Sequence, residues 1–340
     1  MPASSGEAVS SQSVPLLHRA LQAEEAGDLE AALQDFRHLE AFQPDNPRWA
    51  FEAVRILLKL NRQGEAAAAF RAAGQRWPRA MSDEHLRSLV PGADLSIENT
   101  RNALAEHCPP DSALKRPVLV DDEAAEVQVV RGGRDVVVLV FTGLADRLVM
   151  PLSLFDRYLA ALDVSAIYLR DRRRMAYLHG VRGLGRDFDE TLVSLKQRIE
   201  QLGARDIHTL GNSAGGLGAI AYGLDLGAKS ILGFATPCYI KDDAGDWDPR
   251  APVFAQRLRS LTTPEQRDFR ARLEAMANPP KVELWFGADA ADDRRHAETL
   301  AGAPGVSLHP VAGVEGHGAL FALAQEGGLG PALEAHIGAA

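Results

Sequence analysis

Gly211-Asn212-Ser213-Ala214-Gly215 places a serine between glycines two positions before and two after it. The apolar run Ile207-His208-Thr209-Leu210 leads in with the character of a strand, and Leu217-Gly218-Ala219-Ile220-Ala221-Tyr222 leads out with that of a helix. A serine at the tip of so tight a turn projects its hydroxyl above the sheet edge, and the small flanking residues let the strand and helix backbones approach closely. The helix behind it also aims free backbone N–H groups at any oxyanion formed nearby. In a chain with 30 glycines the five-residue pattern alone also fits an ordinary glycine-rich turn. Its weight comes from the strand before, the helix after and the partners further along.

A serine hydroxyl is a poor nucleophile at neutral pH, so an imidazole must take its proton and a carboxylate must hold that imidazole in one tautomer. Of the ten histidines, His317 stands in Gly313-Val314-Glu315-Gly316-His317-Gly318, between a last strand and a final helix, where glycines leave its ring room. His309 reads as a packing residue at the end of the preceding strand, and His296 as helical. Three carboxylates, Asp289, Asp292 and Asp293, follow the apolar run 281–287, and at least one of them suits a helix N-cap. An oxyanion hole needs two converging donors. One is the N–H of Ala214; the other falls in Phe141-Thr142-Gly143-Leu144, on Leu144 or Gly143.

The elements that must position these groups are apolar runs at 126–130, 136–142, 164–170, 206–211, 230–235, 281–287 and 305–309, separated by helical stretches such as 187–202. Such alternation predicts an α/β domain over 117–340 with a mostly parallel sheet covered on both faces, its ligands at the carboxyl ends of the strands. The stretch 168–180 follows a strand and carries Arg170, Arg172, Arg173, Arg174 and Tyr177. It reads either as a rim that receives an anionic substrate, through Arg172, Arg173, Arg174 and Tyr177, or as a solvated loop paired with Asp187, Asp189 and Glu190. A second rim element, 237–262, offers Pro237, Cys238, Tyr239 and Trp247 as a cap.

Ahead of this domain, residues 14–80 are alanine-rich, and positions 34 apart match: Ala32 with Ala66, Phe36 with Phe70, Pro44 with Pro78. That period marks paired helices. Residues 1–13 read as a loose tail and 81–116 as a helical linker. Acidic side chains outnumber basic ones 46 to 37, a formal charge of -9, which disfavours nucleic acid and anionic membranes as partners. No stretch reaches membrane-spanning length, and no basic cluster leads into an apolar run at the start. Cys108 and Cys238 match neither a metal site nor a disulfide framework, which fits a reducing cytoplasm. No cofactor or metal motif is present.

Residues 120–335 resemble the α/β-hydrolase fold serine hydrolases, in which the order along the chain is serine, acid, histidine. The resemblance implies Ser213 as nucleophile, His317 as base, and Asp293 as acid because it stands directly before a helix, with Asp289 as runner-up. Phe141-Thr142-Gly143-Leu144 departs from the His-Gly-Gly-Gly run of many lipases and esterases. The implied activity is hydrolysis of an ester, thioester or amide through an acyl-enzyme, on a small-molecule or a carrier- or glycan-linked acyl substrate. Acyl transfer to a sugar or protein hydroxyl is the alternative within enzymes. Residues 14–80 resemble the tetratricopeptide family over two repeats, departing from it at Leu16 and Ala23; this implies a protein partner or self-association. A non-catalytic scaffold is the remaining alternative.

Overall fold

A computed structural model describes residues 5–44, 46–60, 62–76, 107–122, 124–144, 146–240, 258 and 262–337. The chain divides into two compact units, residues 1–102 and 103–340. The expectations placed on 81–106, Pro78 and Trp247, and on the side chain of Phe70, lie outside the described residues.

In the first unit, α1 (Ser5–Glu25), α2 (Leu29–Phe42), α3 (Pro47–Lys59) and α4 (Gln63–Arg76) pack each on the next. The helix α1 begins at Ser5, within the stretch 1–13 read as a tail, and its Ala, Glu and Gln residues are compatible with helix. Gly27, at φ 81°, makes the turn into α2, where Asp28 accepts the Ala31 N–H at 3.1 Å. Ala32, Leu33, Phe36, Leu39, Ile56, Leu57 and Ala66 form the core, so both alanines of the repeat period are fully buried. Within it Arg55 reaches Glu24 at 2.6 Å and Glu52 at 2.8 Å, tying α3 to α1.

The second unit is built on seven strands: β1 (Val127–Val130), β2 (Val136–Phe141), β3 (Ser165–Leu169), β4 (Asp206–Asn212), β5 (Ser230–Phe234), β6 (Lys281–Gly287) and β7 (Val306–Val311). Their spatial order is β1-β3-β2-β4-β5-β6-β7, with β1 antiparallel to β3 and every other pair parallel. Strand β2 reads Val-Val-Val-Leu-Val-Phe because helices bury both of its faces. Over one face lie α6 (Phe188–Leu202) and α7 (Ala214–Leu226); over the other lie α5 (Leu152–Ala161), α11 (Ala319–Gln325) and α12 (Leu329–Ile337). The short helices α8 (Pro264–Arg267), α9 (Phe269–Ala275) and α10 (Ala291–Glu298) lie between β5 and β7 in sequence. With the serine turn after the central strand β4, this is the α/β-hydrolase fold. Strand β7 runs through Pro310 to Val311, beyond the expected 305–309, because an edge strand tolerates a proline.

A buried polar chain ties α12 to the sheet near its amino end. His208 Nδ1 lies 2.6 Å from Ser230 Oγ, Ser230 Oγ lies 2.9 Å from His336 Nε2, and His336 Nδ1 lies 2.8 Å from Glu283 Oε2. Burial, and then the neighbouring His336, push His208 down to about 4; burial also lowers His336. The folded pKa of His208 is below its unfolded value of about 6.5, so this group's contribution is complete above pH 6.5 and is lost as pH falls toward 4. The expected loss is about 3 kcal/mol. Urea unfolding at pH 7, 5 and 4 should show it, and His208→Asn should flatten that dependence.

Candidate active site

Ser213 takes φ 56° and ψ −128°, a backbone geometry that only strong surroundings enforce. Its N–H donates to Phe234 O on β5 at 2.8 Å, and its carbonyl accepts from Gly216 N–H at 2.9 Å. The flanking glycines are required by close approach. A Cβ on Gly211 would stand 2.1 Å from Gly215 O, and one on Gly215 would stand 2.1 Å from Phe141 O. Gly215→Ala is therefore expected to destabilise the second unit by about 1–3 kcal/mol or more. Thermal unfolding beside Gly227→Ala, whose Cβ meets nothing within 4 Å but whose φ of 66° carries only local strain, separates crowding from strain.

His317 lies in the loop between β7 and α11, and its Nδ1 is 2.7 Å from Asp293 Oδ2. Asp293 is buried, whereas Asp292 is half-buried and Asp289 is exposed. Asp293 occupies the first turn of α10 rather than the position before it; the N-cap is Ala290, with no side-chain capping bond, so none of the three aspartates caps this helix. Ser213 Oγ and His317 Nε2 have no hydrogen-bond partner among the described residues, and bonds of this kind commonly tighten only with substrate bound. Of the other histidines, His296 is buried in α10 and accepts the Tyr239 N–H on Nδ1 at 3.2 Å, while His309 stacks on Trp285 with ring centroids 4.4 Å apart. Cys238 is buried, its thiol donating to Thr236 O at 3.3 Å.

The turn after β2 is closed by two backbone bonds, from Gly143 N–H to Arg147 O and from Asp146 N–H to Gly143 O, both 3.0 Å. The first removes Gly143 as an oxyanion donor, because its N–H already has an acceptor. The second fixes the plane of the Gly143–Leu144 peptide, whose N–H end belongs to Leu144 and has no acceptor among the described residues. The Ala214 N–H, first in α7, has no helical acceptor either. A Cβ on Gly143 would stand 3.3 Å from Asn212 O, so this turn lies against the serine turn.

The loop after β3 differs most from expectation. Tyr177 is fully buried, its ring edge-on to Phe141 at 5.0 Å, so it is not a substrate-binding rim residue. Arg174 is buried too, and Arg173 Nη1 donates to His179 O at 2.6 Å and Arg186 O at 2.7 Å. Arg170, almost fully buried, donates to Asp146 O at 3.2 Å and to Asp122 O and Ala125 O at 2.9 Å each. Arg170 and Arg173 thus hold backbone in place, and Arg172 is half-buried. The carboxylates on the same side are also engaged: Asp187 caps α6 by accepting the Glu190 N–H at 2.9 Å, and Arg186 pairs with Glu190.

Sequence reasoning missed Asn212, which is buried beside the serine with neither side-chain polar atom hydrogen-bonded among the described residues. Its position in the five-residue motif was the available signal. Among the described residues no cluster of three metal-ligating side chains occurs, and no helix is long and apolar enough to cross a membrane.

No protein-family model matches the chain, and no curated protein matches it. Among solved structures it is similar to FphF, the Staphylococcus aureus fluorophosphonate-binding serine hydrolase F with substrate bound, at 12% identity over 63% of this chain and 92% of that one, with a TM-score of 0.44. It is also similar to Est1E from Butyrivibrio proteoclasticus, at 10% identity over 61% of this chain and 93% of that one, TM-score 0.42. A third is an esterase of the bacterial hormone-sensitive lipase family, at 16% identity over 75% of this chain and 96% of that one, TM-score 0.45. At such identities the chemistry has to be read from this chain's own side chains.

Proposed function

We propose that the chain is a serine hydrolase that cleaves an ester or thioester through an acyl-enzyme on Ser213. The observation that carries this reading is the pairing of His317 with the buried Asp293 at the same strand ends as the strained serine turn. A carboxylate sequestered from water and bonded to Nδ1 leaves Nε2 as the imidazole's basic nitrogen. His317 then accepts the Ser213 proton as Oγ attacks the acyl carbon. The N–H groups of Ala214 and Leu144 bind the developing oxyanion, each worth roughly 3 kcal/mol in the transition state. His317 returns the proton to the leaving alcohol or thiol, and a water activated by the same nitrogen releases the acid.

Arg172, half-buried in the loop after β3, is proposed to contact a polar or anionic part of the substrate. The two cysteines, neither in a disulfide, support a reducing, cytoplasmic setting. In the first unit, the burial of Ala32 and Ala66 one period apart supports a pair of tetratricopeptide-like repeats that bind a protein partner or a second copy. Hydrolysis is separated from acyl transfer by assaying p-nitrophenyl esters and acyl thioesters of increasing chain length with and without added sugar or serine-peptide acceptors. Free acid formed at a rate independent of acceptor is expected; product that appears only with an acceptor would make the chain an acyltransferase.

A further inference from the structure

We propose that Tyr177 is a positioning residue for the oxyanion turn, held in place by the carboxylate of Asp171; the inference rests on the serine-hydrolase reading above. Tyr177 Oη lies 2.9 Å from Thr142 O and 2.8 Å from Leu169 O, with Thr142 Oγ1 at 3.1 Å. Thr142 O and Gly143 N belong to one peptide plane. That plane is therefore gripped at both ends, by the phenol on its carbonyl and by Arg147 O on its N–H at 3.0 Å. The next plane carries the Leu144 N–H, so a rotation of the first would swing the oxyanion donor. Arg170 steadies the far side of the turn through Asp146 O.

The phenol reaches this place only because its loop is bent into a conformation its own residues disfavour. Arg174, Ala176 and Tyr177 take φ of 56°, 48° and 66°, and none is glycine. Asp171 Oδ2 accepts the N–H groups of Met175 at 2.7 Å and Tyr177 at 2.9 Å, which holds that bend. Tyr222 on α7 adds a bond from its hydroxyl to Tyr177 O at 3.1 Å, and a Cβ on Gly218 would stand 2.7 Å from the Tyr177 ring. The phenol ring is thus fixed by α7, the helix that Ser213 immediately precedes, and its hydroxyl registers the oxyanion turn against that same helix. Burial pushes Asp171 up to about 6, against the two backbone bonds and Arg174, while Asp146 adds to the rise.

Tyr177→Phe keeps the ring and deletes the hydroxyl. The expected result is a kcat lower by about 10- to 100-fold, a KM within about threefold of wild type, and a matching drop in the rate of labelling by a fluorophosphonate probe, in a protein with unchanged circular dichroism. Asp171→Ala should reproduce the loss, and Asp171→Asn, which keeps an acceptor for both N–H groups, should restore most of the rate. Wild-type labelling with an undiminished kcat in Tyr177→Phe would overturn the positioning role and leave the hydrolase reading intact. Failure of folded wild-type protein to label would overturn both. Equal losses in Asp171→Ala and Asp171→Asn would overturn the part assigned to Asp171.

Discussion

Ser213→Ala is expected to lower kcat for ester hydrolysis by about 10⁴- to 10⁶-fold, with the fold and the Asp293–His317 pair unchanged. The magnitude follows from what the side chain supplies. Without Oγ there is no covalent intermediate, and water must attack directly in a site whose remaining assets are the two N–H donors and substrate binding. His317→Ala should cost about as much, because the hydroxyl loses its base. The double variant should be little worse than either alone, since the two groups act in one step. Additive losses would mean that the serine and the histidine do not share a proton. Initial rates on a p-nitrophenyl ester measure all three.

Asp293→Asn carries the second large effect, a fall in kcat of about 10⁴-fold at neutral pH. The substitution preserves size and burial, but an amide can turn its NH2 toward Nδ1 and favour the tautomer whose proton sits on Nε2, the nitrogen that must be free. It also removes the negative charge that stabilises the imidazolium. Asp292→Asn and Asp289→Asn, at half-buried and exposed positions, should change the rate by no more than about twofold. If Asp289→Asn instead gave the large loss, the acid would be the residue nearer the end of β6, and the 2.7 Å pair would be structural.

Much of this arrangement could be read from residue order. Buried parallel strands appear as unbroken apolar runs, and β2 and β5 are legible for that reason. The serine turn is legible because glycine alone avoids the 2.1 Å contacts at positions 211 and 215. His317 stood out because glycines isolate it. The choice between Asp292 and Asp293 depends on which face of α10 turns inward, and the chain carries no marker for that beyond spacing. The loop after β3 was hidden for a stronger reason. Its left-handed residues other than glycine are Arg174, Ala176 and Tyr177, none of which announces such a geometry, and the carboxylate that stabilises it, Asp171, looks like one more charge in a polar stretch. Four arginines in five positions suggested a basic rim, whereas burial turns Arg170 and Arg174 inward.

The most direct test of the account is intact-protein mass spectrometry after treatment with a fluorophosphonate probe, followed by peptide mapping. A single adduct on Ser213, abolished in Ser213→Ala and His317→Ala and strongly slowed in Asp293→Asn, is the predicted result. Folded wild-type protein that takes up no probe, or that is modified on another residue, would contradict it.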